Sequence, residues 1–283
     1  MTSLDILQAA LRALVYAGTI AAAGGVLYAW SFPRAAAAIP AAVQRQIAFG
    51  CWLLLVVEPL RYAVFQLAIA QDNWSLAFGP DLRSMAFQTP MGRALALRLT
   101  AAAVLLVARA PGIRMAAAIL MIASYLVEGH TVSGDDATLP ATALLFLHLA
   151  AVHWWLGALY PLASLIRQAG ATASFPAVEG FGVRAVPIVM ALLAAGAGLL
   201  GLLTSWQLNL DNAYHQRFLV KLALVGVILA IAAYNKLRLT PRLTQDPVGG
   251  GASLRRSISI ESLLALLILA ATAWALNTSP DAM

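Results

Sequence analysis

Eight apolar runs, each near the length that crosses a bilayer, constrain this chain more than any other feature. They are Ile6–Trp30, Ile47–Ile69, Ala94–Val107, Ile113–Val127, Leu139–Leu165, Val186–Trp206, Phe218–Leu237 and Ile258–Leu276. A spanning helix needs about 20 mostly apolar residues to cross roughly 30 Å of hydrocarbon. The runs are too long and too uniformly apolar for the alternation of a membrane β-barrel. The third and fourth are short, and Arg109–Arg114 with its Pro111–Gly112 step reads as a tight turn between them. Charged residues make up 11% of the 283 residues, against about 25% for a soluble domain. The expectation is an all-α polytopic membrane protein of eight transmembrane helices. The net charge of +6 comes from short basic clusters between apolar runs, not from one basic face, so nucleic acid is not an expected partner. Cys51 is alone, which excludes a disulfide within the chain, a thiolate zinc site and a CxxC redox pair. The first run reads as a span and not as a cleaved leader. It is long, and Asp5 precedes it with no cation before Arg12.

Lys and Arg placement predicts the orientation. Eleven cations (Arg34, Arg45, Arg109, Arg114, Arg167, Arg184, Lys236, Arg238, Arg242, Arg255, Arg256) follow odd-numbered helices, and three (Arg83, Arg93, Arg217) lie on the other side. The basic side is therefore expected to be cytoplasmic and both termini periplasmic, in a bacterial inner membrane. That places His130 and His215 at the outer ends of helices 4 and 7, with Glu128, Asp135, Asp136 and Asp211 nearby. His148 and His153 fall within helix 5, roughly 13 Å and 21 Å below the outer surface at 1.5 Å per residue.

An ionisable residue at bilayer depth costs about 2.5–3.5 kcal/mol on insertion scales, so each requires a partner or a task. His148 is either a neutral imidazole bonded to a neighbouring helix or a metal ligand. His153 lies five residues on, about 140° around the helix, so the two are not expected to share one ion. Either they belong to successive sites or His153 faces another helix as a structural group, which is the preferred reading. His130 with Glu128 forms a candidate outer capture site for a metal ion, since imidazole binds divalent transition metals and a carboxylate can complete the sphere. His215 could join it or cap helix 7. Glu58 and Arg61 share a face at i, i+3 and are expected to pair. Arg98 and Lys221 sit about a turn inside the outer face, where they could reach outward.

Several stretches are similar to the copper resistance protein D (CopD) family: His148-Leu-Ala-Ala-Val-His-Trp-Trp155-Leu-Gly157-Ala-Leu-Tyr-Pro161-Leu, Tyr214-His-Gln-Arg-Phe-Leu-Val-Lys221-Leu, Asn235-Lys-Leu-Arg238-Leu-Thr-Pro241, Arg255-Arg-Ser257 followed by Glu261, and the Gly129-His130 step. The resemblance runs over about residues 89–276, including Arg98; helices 1 and 2 match in layout only. It departs at His215, where the family has Gly, and at His153, which is outside the pattern. The resemblance implies an inner-membrane protein that works with a periplasmic copper-binding protein of the CopC type. It implies copper transport into the cytoplasm, roles for His148, Trp155 and Gly157, and a fixed role for Arg98 and Lys221 such as counter-charge for a carboxylate. No P-loop or aspartyl-phosphate motif appears, so the expected activity is transport without ATP, not catalysis. Two other readings stay open. One is a haem b protein with His148 and His130 or His215 as axial ligands, acting in electron transfer. The other is a membrane anchor for the copper-binding partner. Helices 1 and 5 also align at an offset of 132 (Tyr16 with His148, Gly25 with Gly157), and helices 3 and 7 at 123 (Arg98 with Lys221). This would make a parallel 4+4 repeat.

Overall fold

In the computed structural model the described residues are 3–71, 73–77, 79–80, 86–128, 139–204 and 213–275. Among them are eight helices long and apolar enough to span a membrane: α1 Leu4–Ser31, α2 Pro40–Ile69, α3 Pro90–Val107, α4 Pro111–Glu128, α5 Leu139–Ala169, α6 Ala171–Leu202, α7 Leu219–Gln245 and α8 Pro247–Ala275. The described residues contain no strand. The chain is an all-α multi-pass membrane protein. The connections from α1 to α2, α3 to α4, α5 to α6 and α7 to α8 are short and lie on the arginine-rich side, called the basic face below.

Helix starts follow the prolines. Pro33, Pro40, Pro90 and Pro111 each occupy the first turn of a helix, where a missing N–H has no intrahelical partner to lose. Thr89 caps α3 by accepting from Gly92 N at 3.1 Å. The helices outrun the apolar pattern on the basic face: α6 begins at Ala171 and α8 at Pro247, well before the apolar runs at Val186 and Ile258. The 34-residue helix Ala171–Thr204 is about 51 Å long at 1.5 Å per residue, more than the hydrocarbon thickness, so its first turns stand outside the apolar layer.

α1 is the central element, packed against α2, α4, α5 and α8. It meets its neighbours through small residues, the means by which membrane helices approach closely. A side chain on Gly50 of α2 would strike Ala22 and the Gly18 carbonyl of α1. Gly157 of α5 lies against the Cα of Gly24. α5 bends just past that crossing, with Ala158 N–H bonded back to Trp155 O at 3.2 Å. The cause is Pro161, which has no N–H for the Gly157 carbonyl four residues earlier. Gln46 of α2 replaces it, donating from Nε2 to Gly157 O at 2.9 Å and to Ala21 O at 3.1 Å. A second break lies on α7. Its helix runs Ala213–Tyr234 and then widens into a π-turn, Asn235–Leu239. Pro241 follows, again without an N–H to donate.

The main apolar core surrounds α1 and α2, and a smaller one, Ala151, Trp155, Leu192, Ile228 and Ala265, joins α5, α6, α7 and α8. Of the most apolar stretch of each helix, 56% is buried in α1 and 44% in α2, but only 17% in α6 and 11% in α7. The first half is thus a dense bundle, and α6 and α7 form a thinner wall.

Candidate ion sites in the bundle

The first half joins four charged side chains in one network, three of them buried and Glu128 half-buried. Arg98 of α3 donates to Glu58 of α2 at 2.7 Å and to Glu128 of α4 at 2.8 Å. Arg61 pairs with Glu58 at 3.4 Å and also with Glu128. Arg98 and Glu58 are fully buried and Arg61 nearly so. Two guanidinium groups and two carboxylates make the set neutral, so each charge at this depth has a counter-charge. Arg98 also donates from Nε to Ser124 Oγ at 2.9 Å, and its guanidinium lies 4.1 Å from the Tyr125 ring centroid. From Tyr125 a hydrogen-bonded line continues through Thr19 of α1 (2.8 Å) to His153 Nε2 of α5 (3.2 Å). His153 Nδ1 lies 2.7 Å from Leu149 O.

Glu58 and Arg61 pair as their i, i+3 spacing predicts, and the outward reach expected of Arg98 is not found. Arg98 is wholly enclosed and serves as counter-charge to two carboxylates. The Glu58–Arg61 pair is not self-contained, because the shorter contacts run between helices. Glu128, expected as an oxygen donor beside His130, has its oxygens on Arg61 and Arg98. His153 has both ring nitrogens occupied and faces α1.

His148 faces the other way. Its Nδ1 lies 3.2 Å from Leu192 O of α6, and its ring packs over Gly196 of the same helix. A ring N–H donated to a backbone carbonyl fixes the tautomer and leaves Nε2 as the nitrogen that can take a ligand. Lys221 of α7 is near enough to act electrostatically on the ring. Ala151 and Trp155 continue the same stripe of α5 at i+3 and i+7, into the smaller core.

That stripe leads to a polar cluster on the basic side. Glu261 of α8 is 3% exposed. It accepts from Asn235 Nδ2 at 2.9 Å, and the Trp155 side chain lies close by. Asn235 opens the π-turn of α7. Its Oδ1 accepts from Ser257 Oγ at 2.5 Å, and its carbonyl accepts from Thr240 Oγ1 at 2.9 Å. Only the family pattern marked Glu261 in the sequence. The available signal was an acid four positions into the otherwise apolar run that begins at Ile258. Thr19, Ser124 and Tyr125 carried no comparable signal, since hydroxyls are cheap to bury and their partners lie on other helices.

His130, Asp135, Asp136 and Asp211 lie outside the described residues, as does the side chain of His215, whose backbone falls in the first turn of the α7 helix. Among the described residues no group of three His, Cys, Asp or Glu side chains could hold a metal ion. Cys51 is buried in the main core.

Fold and site together define a multi-pass helical membrane protein with ionisable groups held between its helices. Two family models match it: Copper resistance protein D over residues 175–275, and Copper resistance protein D-like, N-terminal domain over residues 3–139. The chain belongs to the copper resistance protein D family. The second match extends the relationship to α1 and α2, beyond the motifs recognised in the sequence. The segment around His148 and Gly157 falls between the two matched regions. No curated protein and no solved structure gives a significant match.

Proposed function

We propose that this protein moves copper across a bacterial inner membrane, from periplasm to cytoplasm, along the second half of the bundle. His148 is the ligand at membrane depth. The observation that carries this reading is the orientation of its ring: Nδ1 is held by Leu192 O, so Nε2 remains for a metal on the face of α5 that meets α6 and α7. Family membership supplies the cargo. His130 and His215 are the histidines for capture at the periplasmic end, where a CopC-type protein delivers the ion. Glu128 is left out of that capture set, since Arg61 and Arg98 hold its oxygens. The basic face is the cytoplasmic one by the eleven-to-three excess of cations, so both termini are periplasmic.

The test is copper uptake into proteoliposomes. Orientation is set by labelling a cysteine at Val248, which is 86% exposed on the basic face. His148→Ala should abolish uptake while leaving the protein folded, and His153→Ala should retain uptake. Uptake that survives His148→Ala would remove the copper path from α5. A Soret band in the purified protein would replace the reading with a haem protein.

A further inference from the structure

We propose that Glu261 is a proton-binding carboxyl at the basic-face end of the second-half path, exchanging its proton as a cation passes. Two buried glutamates allow the comparison. Glu58 is fully enclosed and has guanidinium nitrogens at 2.7 and 3.4 Å. Glu261 is almost as enclosed, but the hydrogen bond it accepts comes from a neutral amide, Asn235 Nδ2 at 2.9 Å. A carboxylate removed from water without a cation is expensive to keep ionised, and taking up a proton is the ordinary way to relieve that. A neutral donor moderates the expense without abolishing it, so neither form is locked.

The groups on the packed elements do not compensate this carboxylate. On α8, Arg255 and Arg256 lie six and five residues nearer the basic face, about 9 and 8 Å along the helix. On α7, Lys236 lies along Gly182 of α6, and Arg238 is exposed. On α6, Arg184 donates to Ser31 O at 2.7 Å and stacks on Phe32. On α5, Arg167 is exposed and His153 is bonded to Thr19 of α1. On α1, Tyr28 packs against Phe32. Glu261 forms no ion pair with a cation among the described residues, whereas Glu58 forms two.

The position gives the carboxyl its task. Trp155, which lies beside Glu261, is on the same stripe of α5 as His148 and two turns below it, about 10.5 Å at 1.5 Å per residue. Asn235, the donor, opens a π-turn, a distortion frequent at functional positions. The exchange balances simply: the carboxylic acid releases one proton toward the basic face as a cation arrives from the His148 level, and the carboxylate regains a proton when the cation leaves. No electron moves.

This inference rests on the transport reading for its coupling, but proton binding is tested separately. The purified protein in lipid, without copper, is titrated from about pH 8 to about pH 5, the span over which single-site switches operate, and the carbonyl stretch of protonated carboxyl groups is followed by infrared difference spectroscopy. A band that grows on acidification should be present in wild type and in Glu58→Gln, absent in Glu261→Gln, and shifted in Glu261→Asp. In vesicles, lowering the pH on the basic face should slow wild-type copper flux by up to about tenfold per pH unit, the change in ionised fraction of one group. Glu261→Gln should be slow and flat with pH. The same titrating band in Glu261→Gln, or a wild-type pH profile in that variant, would overturn the proposal and leave Glu261 as a tie between α7 and α8. Loss of uptake in His148→Ala tests the copper path and does not bear on the band. If Glu261→Gln does not fold, Glu261→Asp decides alone: an unshifted band overturns the proposal.

Discussion

Glu58 and Glu261 are both carboxylates buried on long membrane helices, and their surroundings differ in kind. Around Glu58, Arg61 and Arg98 answer two carboxylates with two cations, the helices pack closely, and Tyr125, Thr19 and His153 extend the network to α5. Around Glu261 the donor is Asn235, and little of the most apolar stretches of α6 and α7 is buried. A closed set of charges is a poor carrier: separating any member leaves a bare charge in low dielectric. A carboxyl held by neutral groups can change its protonation at smaller expense. The first half therefore reads as a scaffold, and the second half as the part whose state changes. The two histidines of α5 divide the same way, with His153 bonded into the scaffold and His148 turned toward α6.

The largest effect should come from breaking the scaffold's charge balance. Arg98→Ala leaves Glu58 and Glu128 sharing Arg61, and truncating one member of a buried pair costs about 3–5 kcal/mol. The expected result is loss of most folded protein in detergent thermal melts. Replacing Arg98 and Glu58 together by Met, which removes one charge of each sign, should recover more than half of that loss. Glu261→Gln should shift the melt by far less. If Arg98→Ala and Glu261→Gln melt alike, the contrast between the halves has no energetic basis.

A smaller effect is expected where the halves touch. Gly157 and Gly24 meet backbone to backbone, so any side chain at Gly157 forces α1 and α5 apart. Overpacking a tight site costs about 1–3 kcal/mol. Gly157→Val should lower the melting temperature and weaken copper uptake, because α5 carries both His148 and Trp155. The same substitution at Gly226, whose Cβ position is open, should do neither. Equal behaviour at the two glycines would mean that α5 is not held by this crossing.

The eight spans were readable because hydrocarbon imposes a length and an apolar composition, and both show in a single chain. The starts of α6 and α8 were less so, because beyond the hydrocarbon a helix needs no apolar run. Ionisable residues in spans announced that they needed partners, but the partners of Glu58, Arg98 and Glu128 lie on three helices separated by 30 to 70 residues, and spacing along a chain does not encode that. The i, i+3 pairing of Glu58 with Arg61 was visible, and it is the longest ion pair in the network, at 3.4 Å. The divergence of His148 and His153 was legible from helical angle alone. Which helix each one meets depended on the packing of small residues.

The most local effect concerns one hydrogen bond with a cause that can be removed. Pro161 leaves the Gly157 carbonyl without its helical donor, and Gln46 fills the gap across the α2–α5 contact. Gln46→Leu should therefore cost about 1–3 kcal/mol, the range for a buried polar group left unsatisfied, read from the shift in melting temperature. Pro161→Ala restores an N–H that can bond Gly157 directly, so in that background Gln46→Leu should cost less. The sign of the coupling is the decisive quantity in the double-mutant cycle. If Gln46→Leu costs the same in the wild-type and the Pro161→Ala backgrounds, Gln46 acts through its other bond, to Ala21 O at 3.1 Å. It would then belong to the α1–α2 scaffold alone and would no longer tie the rigid half to the helix that bears His148.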